Sequence, residues 1–169
     1  MDYLKVSLRL IHIIGGILWV GGALLMNFFV APTLRATGDA GKQFAGHLLG
    51  KTRFTQIMTW SAYATVIAGF LLYGMDSQWF TSAWQSSSVG IGFGVGALFA
   101  LVGVVTGIMN GSNNRKMAQL GAQIQGKPTP PQAAALGAVQ KQQSWVVPVN
   151  TYSLILAVIL MATARYLVF

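Results

Sequence analysis

A single histidine stands inside the first long apolar run of this chain, Leu8 to Ala31, which reads L-R-L-I-H-I-I-G-G-I-L-W-V-G-G-A-L-L-M-N-F-F-V-A. An ionisable side chain within a membrane span is costly, so His12 is a functional candidate by default. Neutral imidazole can ligate iron or copper, relay a proton, or hydrogen-bond a quinone carbonyl. Arg9 precedes His12 by about one helical turn, and Arg165 sits near the end of the last apolar run, at a similar level if the spans are antiparallel. Arginines there would suit a haem propionate or another anionic group. Trp19 follows on the same helical face, two turns along. The competing account is a histidine hydrogen-bonded to a neighbouring helix, with the arginines snorkelling to the surface. The residues leave both open.

The remaining chemistry-bearing residues are few. His47 falls in a loop near the opposite face, so the two histidines are not expected to share one iron, and a paired-histidine haem is disfavoured. A mono-histidine site remains, with His12 as its only metal ligand, alone or completed by another group. Met26, Met58, Met109 and Met161 lie in or at the ends of spans. Thioether sulfur suits Cu(I), but no pair has a tight ligand spacing on one helix. No catalytic residues are expected: the pattern resembles no hydrolase, kinase or phosphate-binding loop. Whether the chain is an enzyme is left undecided.

These residues are positioned by membrane helices. Of the 169 residues, 54% are hydrophobic and 8% charged, against about a quarter charged in soluble domains. There is no cysteine, which removes disulfides, thiolate metal sites and covalently attached haem. Four runs are long enough to span, at about 4–31, 54–73, 89–109 and 146–168. They are continuous rather than alternating, and in lipid only helices or closed barrels satisfy the backbone. The fold class expected is all-α: one domain, 1–169, built as a bundle of four transmembrane helices. The first run is too long for a cleavable signal, and no small-residue cleavage site closely follows it.

The net charge of +8 reads as topology rather than as nucleic-acid binding, because the charges lie between apolar runs. Arg35, Lys42, Lys51 and Arg53 lie between the first two spans; Arg115, Lys116, Lys127 and Lys141 lie between the last two. By the positive-inside rule both loops are cytoplasmic. Both termini are then expected on the periplasmic side of a bacterial inner membrane. In the first inner loop, Asp39 is a plausible N-cap for an interfacial helix. In the second, at about 110–145, Gly126-Lys127-Pro128-Thr129-Pro130-Pro131 breaks two Ala- and Gln-rich segments. This predicts a helical hairpin extending spans three and four on the inner side. Trp79, Phe80 and Trp84 of the outer loop read as interfacial anchors.

Small residues set the packing. Gly92, Gly96, Ala100, Gly103 and Gly107 make a continuous stripe on span three, and Gly15, Gly16 and Gly22 line span one. Such stripes let helix backbones approach closely in lipid. Internal packing is favoured over contact between copies.

The run His12 to Gly22 (H-I-I-G-G-I-L-W-V-G-G), with Ala31-Pro32 and with Arg53-Phe54 opening span two, resembles the CopD-like group of small integral membrane proteins. It is more distantly similar to the membrane protoporphyrinogen oxidase family. The second half, ending M-A-T-A-R-Y-L (Met161 to Leu167), looks more like the uncharacterised branch. The resemblance implies haem or metal binding at the first-helix histidine, which is His12 here. The oxidases also use a lysine within the bundle, and spans two to four here contain none.

Together these readings predict an integral membrane protein that is a small subunit or accessory of an electron-transfer assembly. It would hold haem b or a quinone near His12, Arg9, Arg165 and Trp19, with the bilayer and other membrane subunits, or further copies of itself, as partners. The alternatives are a cofactor-free structural subunit docking through the glycine stripe and hairpin, and a copper or small-solute permease component.

Overall fold

The structure is a computed structural model and describes residues 2–124 and 126–167, Ser82 by its backbone alone. Its regular elements are all helical among these residues, and four helices are long and apolar enough to cross a membrane. In chain order the elements are α1 (Tyr3–Leu25), a π-helical turn (Met26–Val30), α2 (Ala31–Ala36), α3 (Asp39–Lys51), α4 (Phe54–Asp76), the short α5 (Ser82–Gln85), α6 (Ser88–Ala122), α7 (Pro130–Thr163) and a closing 3₁₀ turn (Ala164–Tyr166).

The helices form two antiparallel pairs, α1 with α4 and α6 with α7; α1 also borders α7, and α4 borders α6. The first pair is registered from end to end. Lys5 forms an ion pair with Asp76, a Cβ added at Gly15 would stand 2.6 Å from Thr65 Oγ1, and one at Gly22 would meet the Met58 thioether. In the second pair, Gly92 faces Ala164 and Leu167, Gly96 faces Leu160 and Met161, Gly103 faces Leu154, and Gly107 lies near Asn150. The stripe on α6 is therefore spent inside the chain, as favoured from its spacing. Hydrocarbon offers no hydrophobic reward for helix association, so backbone proximity and dispersion do this work. Trp19 joins the pairs: it is buried, and its Cζ2 lies 3.9 Å from where a Gly103 Cβ would stand. Outward, large apolar side chains such as Ile17, Ile67, Leu98 and Val105 are exposed, as a lipid-facing surface requires.

Three local features differ from expectation. Span one does not stop at Pro32: the helical run continues to Ala36. Proline normally clashes with the carbonyl four residues back. Here a wider turn precedes it, with the Ala31 N–H bonded to Met26 O, and the Thr33 hydroxyl donates to Phe29 O at 2.7 Å. Second, Asp39 is not the N-cap of α3. Gly38 takes that place at φ +57°, a left-handed conformation suited to glycine, and the Asp39 carboxylate accepts from Lys42 Nζ at 2.8 Å instead. That hydrogen bond, with the ammonium's charge, holds the Asp39 carboxyl below its usual range and raises the Lys42 ammonium.

The third concerns the aromatic loop after α4. Gln78, Trp79 and Phe80 are successive non-glycine residues at positive φ, 48°, 59° and 71°, a conformation that costs energy at each. The turn is held by the Trp79 N–H on Gly74 O at 2.7 Å and the Phe80 N–H on the buried Ser77 Oγ at 2.9 Å. Trp84 turns inward, edge-on to Tyr73 at 5.0 Å and stacked on Phe93 at 6.5 Å. Trp79 remains largely exposed and fits the anchoring role.

One consequence is testable. In Gly96→Leu the new Cβ would lie 2.9 Å from Met161 Cγ and 3.4 Å from Met161 N, so α6 and α7 must separate. Overpacking of this kind costs about 1–3 kcal/mol. Gly111, with nothing within 4 Å of an added Cβ, should accept leucine without loss. Thermal unfolding in detergent micelles checks the contrast.

Candidate functional site

His12 lies on the face of α1 turned toward α4. Gly69 makes room for its ring: a Cβ there would stand 2.7 Å from His12 Cε1 and 2.9 Å from Nδ1. The ring is half-buried. Nδ1 is 2.8 Å from the Thr65 carbonyl oxygen. A carbonyl can only accept, so Nδ1 carries the proton and the neutral ring's lone pair resides on Nε2. This is how second-shell hydrogen bonds prepare metal-ligating imidazoles: the bond at one nitrogen fixes the tautomer and aims the other. The same bond ties α1 to α4, so the hydrogen-bonding partner foreseen on a neighbouring helix is present too.

None of the other residues read from the sequence hydrogen-bonds His12 among the described residues. Arg9 and Arg165 are both exposed, and neither forms an ion pair among the described residues. Trp19 is two turns away, packed at the Gly103 seam. His47 is exposed on α3. Among the described residues no three His, Cys, Asp or Glu side chains gather as a metal cluster. The donor set at His12 is one imidazole nitrogen. One imidazole nitrogen could hold a haem iron or accept one hydrogen bond from a quinol hydroxyl, and does not fit a multidentate copper site.

Sequence reasoning missed a second constellation, a ladder of amides and hydroxyls between the pairs and along the α6–α7 seam. Asn113 Nδ2 donates to Gln143 Oε1 at 3.0 Å, and Gln143 Nε2 donates to Asn110 Oδ1. Further along, Asn150 Nδ2 donates to Gly103 O at 2.7 Å and to Thr106 Oγ1 at 3.1 Å. Asn27, inside the π-helical turn, donates to Thr151 Oγ1 at 2.7 Å, and the Thr151 hydroxyl donates to Val147 O at 2.9 Å, one residue before Pro148. Asn113, Asn150 and Thr151 are buried. The signal was present: Asn110, Asn113 and Asn114 share one helical face, and Gln143 and Asn150 lie two turns apart on another. Pairing them needs the register of α6 on α7, which spacing within either helix does not give.

No family model, no curated protein and no solved structure matches the chain.

The ladder yields a stability prediction. Gln143→Leu leaves Asn113 Nδ2 and Asn110 Oδ1 without their side-chain partner, and an unsatisfied buried polar group costs about 1–3 kcal/mol. The double change Gln143→Leu with Asn113→Leu should recover part of that loss. Denaturation midpoints of wild type and both variants in one detergent test it.

Proposed function

We propose that this chain is a small subunit or accessory of a membrane electron-transfer assembly, and that it supplies His12 Nε2 to a redox group. The observation that carries this reading is the Nδ1–H···O=C bond to Thr65 at 2.8 Å. It leaves a basic nitrogen, fixed in orientation, on a half-buried ring that this chain alone does not enclose. Haem b is the group we favour: His12 would hold its iron, and Arg9 and Arg165, exposed at the same end of the bundle, would meet its propionates. Haem would supply one-electron chemistry; the chain's part is to ligate, to orient the imidazole through Thr65, and to exclude bulk at Gly69. The resemblance of the first span to CopD-like proteins points the same way. A quinol would use the same nitrogen as acceptor for its hydroxyl proton.

We place the chain in a bacterial inner membrane with both termini periplasmic. The support is the charge distribution: the 31–53 and 110–145 connections carry eight Lys and Arg at the end of the bundle opposite His12. On this placement α6 and α7, at 35 and 34 residues, are each about 50 Å long. A bilayer core is about 30 Å, so their Asn110–Gln143 ends would project into the cytoplasm as a hairpin. A cofactor-free docking subunit is the second reading, favoured by the satisfied amide ladder, which needs no ligand to be stable.

Absorption spectroscopy of the protein purified from its native membrane separates these. The proposal expects a Soret band that disappears in His12→Ala and in Gly69→Leu, while circular dichroism stays helical. A colourless wild-type protein whose co-purifying partners are unaffected by His12→Ala would support the docking subunit instead. Quinone extracted in stoichiometric amount from wild type, and lost in His12→Ala, would replace haem with quinol at the same nitrogen. A reporter fused at either terminus should be active only on the periplasmic side.

A further inference from the structure

Where α1 runs through its π-helical turn into α2, the chain reverses at Gly38 and α3 folds back. Gly41 closes this V: a Cβ there would collide with the Leu34 carbonyl, so the two helices meet backbone to backbone. Beside the contact lies a groove of about 370 Å³, lined by Phe29, Val30, Leu34, Ala40 and Phe44 together with Thr33 and Thr37. The polar groups in its wall are already used. Thr33 Oγ1 donates to Phe29 O at 2.7 Å, and Thr37 Oγ1 donates to Thr33 O at 2.8 Å. A polar ligand would find few partners there, whereas an apolar chain would find a fitted surface. Phe29 and Phe44 are themselves 67% and 55% exposed, so the groove opens to its surroundings between two aromatic rings.

The segment that carries the groove is rich in basic residues. Arg35, Lys42, Lys51 and Arg53 all fall between residues 35 and 53, against one acid, Asp39, which Lys42 already neutralises. Arg35, Lys51 and Arg53 form no ion pair among the described residues. Apolar lining and unpaired cations at the end of a spanning helix match the two halves of one molecule. We propose that the groove between the π-helical turn, α2 and α3 seats an acyl chain of an anionic phospholipid, whose headgroup is held by Arg35 and the basic residues around the α3–α4 junction. This site is independent of His12 and lies at the other end of the bundle.

Native mass spectrometry of the full chain in detergent micelles tests it, with phosphatidylglycerol and phosphatidylcholine of matched acyl chains added in turn. The proposal expects one phosphatidylglycerol retained per chain in preference to phosphatidylcholine. Each basic residue near an anionic headgroup is worth about fivefold in affinity, so Arg35→Gln with Arg53→Gln should reduce the preference by roughly tenfold or more. Ala40→Phe, which fills the groove, should abolish retention of the lipid. Both arginines are exposed, so the double variant keeps the test decisive if Ala40→Phe fails to fold. Equal retention of the two lipids by wild type, or unchanged retention in a folded Ala40→Phe protein, would overturn the proposal. So would a second copy of the chain, rather than lipid, being released by Ala40→Phe.

Discussion

Hydrocarbon cannot supply a hydrogen bond, so every polar group between these four helices depends on another part of the chain for its partner. The structure meets that demand locally and then across helices. Ser61 and Thr65 return their hydroxyls to carbonyls of α4, leaving smooth contact for Gly15. Asn27, Asn113, Gln143 and Asn150 instead reach another helix. Among the described residues no buried side-chain nitrogen or oxygen lacks a partner. His12 belongs to the same order, and it differs in one respect: its bond to Thr65 satisfies one ring nitrogen and leaves the other.

That constraint also explains how the two helix pairs are joined. Within each pair, glycine brings backbones together. Between pairs, larger groups bridge: Trp19 against the Gly103 seam, Asn27 on Thr151, and Tyr73 toward Gly90 and Trp84. The π-helical turn places Asn27 where Thr151 can accept from it, and it lets the helix pass Pro32 into α2. One irregular turn thus serves the bundle and starts the V in which the apolar groove forms. Pi-helical turns inside α-helices are rare and often sit at functional places.

The spans were legible in the sequence because hydropathy and length decide them. The small-residue stripe on α6 was legible as a contact, and its spacing agreed with the partner found. What lay beyond reading depended on register or on local competition. The first span reads as ending at about residue 31, since a proline next in line breaks an ordinary helix; the compensating π turn leaves no residue-type signature in Met26–Val30. Asp39 read as a cap because its side chain can cap, but Gly38 before it accepts the left-handed turn at lower cost and Lys42 captures the carboxylate. The amide ladder joins residues some thirty or more positions apart, which no helical spacing can pair. At the site, His12 stood out by its cost in lipid; Thr65 and Gly69, which orient it and make room for it, are unremarkable residue types visible only once α1 lies on α4.

Which nitrogen of His12 carries the proton decides whether Nε2 is open to a ligand. Solid-state ¹⁵N nuclear magnetic resonance on membrane-reconstituted, histidine-labelled protein reads this directly, with His47→Gln removing the second ring. At a pH where the ring is neutral and any bound group has been stripped, the account predicts a protonated Nδ1 hydrogen-bonded to a carbonyl and an unprotonated Nε2. A ring protonated at Nε2 with a bare Nδ1 would contradict it, because the bond to Thr65 would not exist and Nε2 would have no lone pair to present.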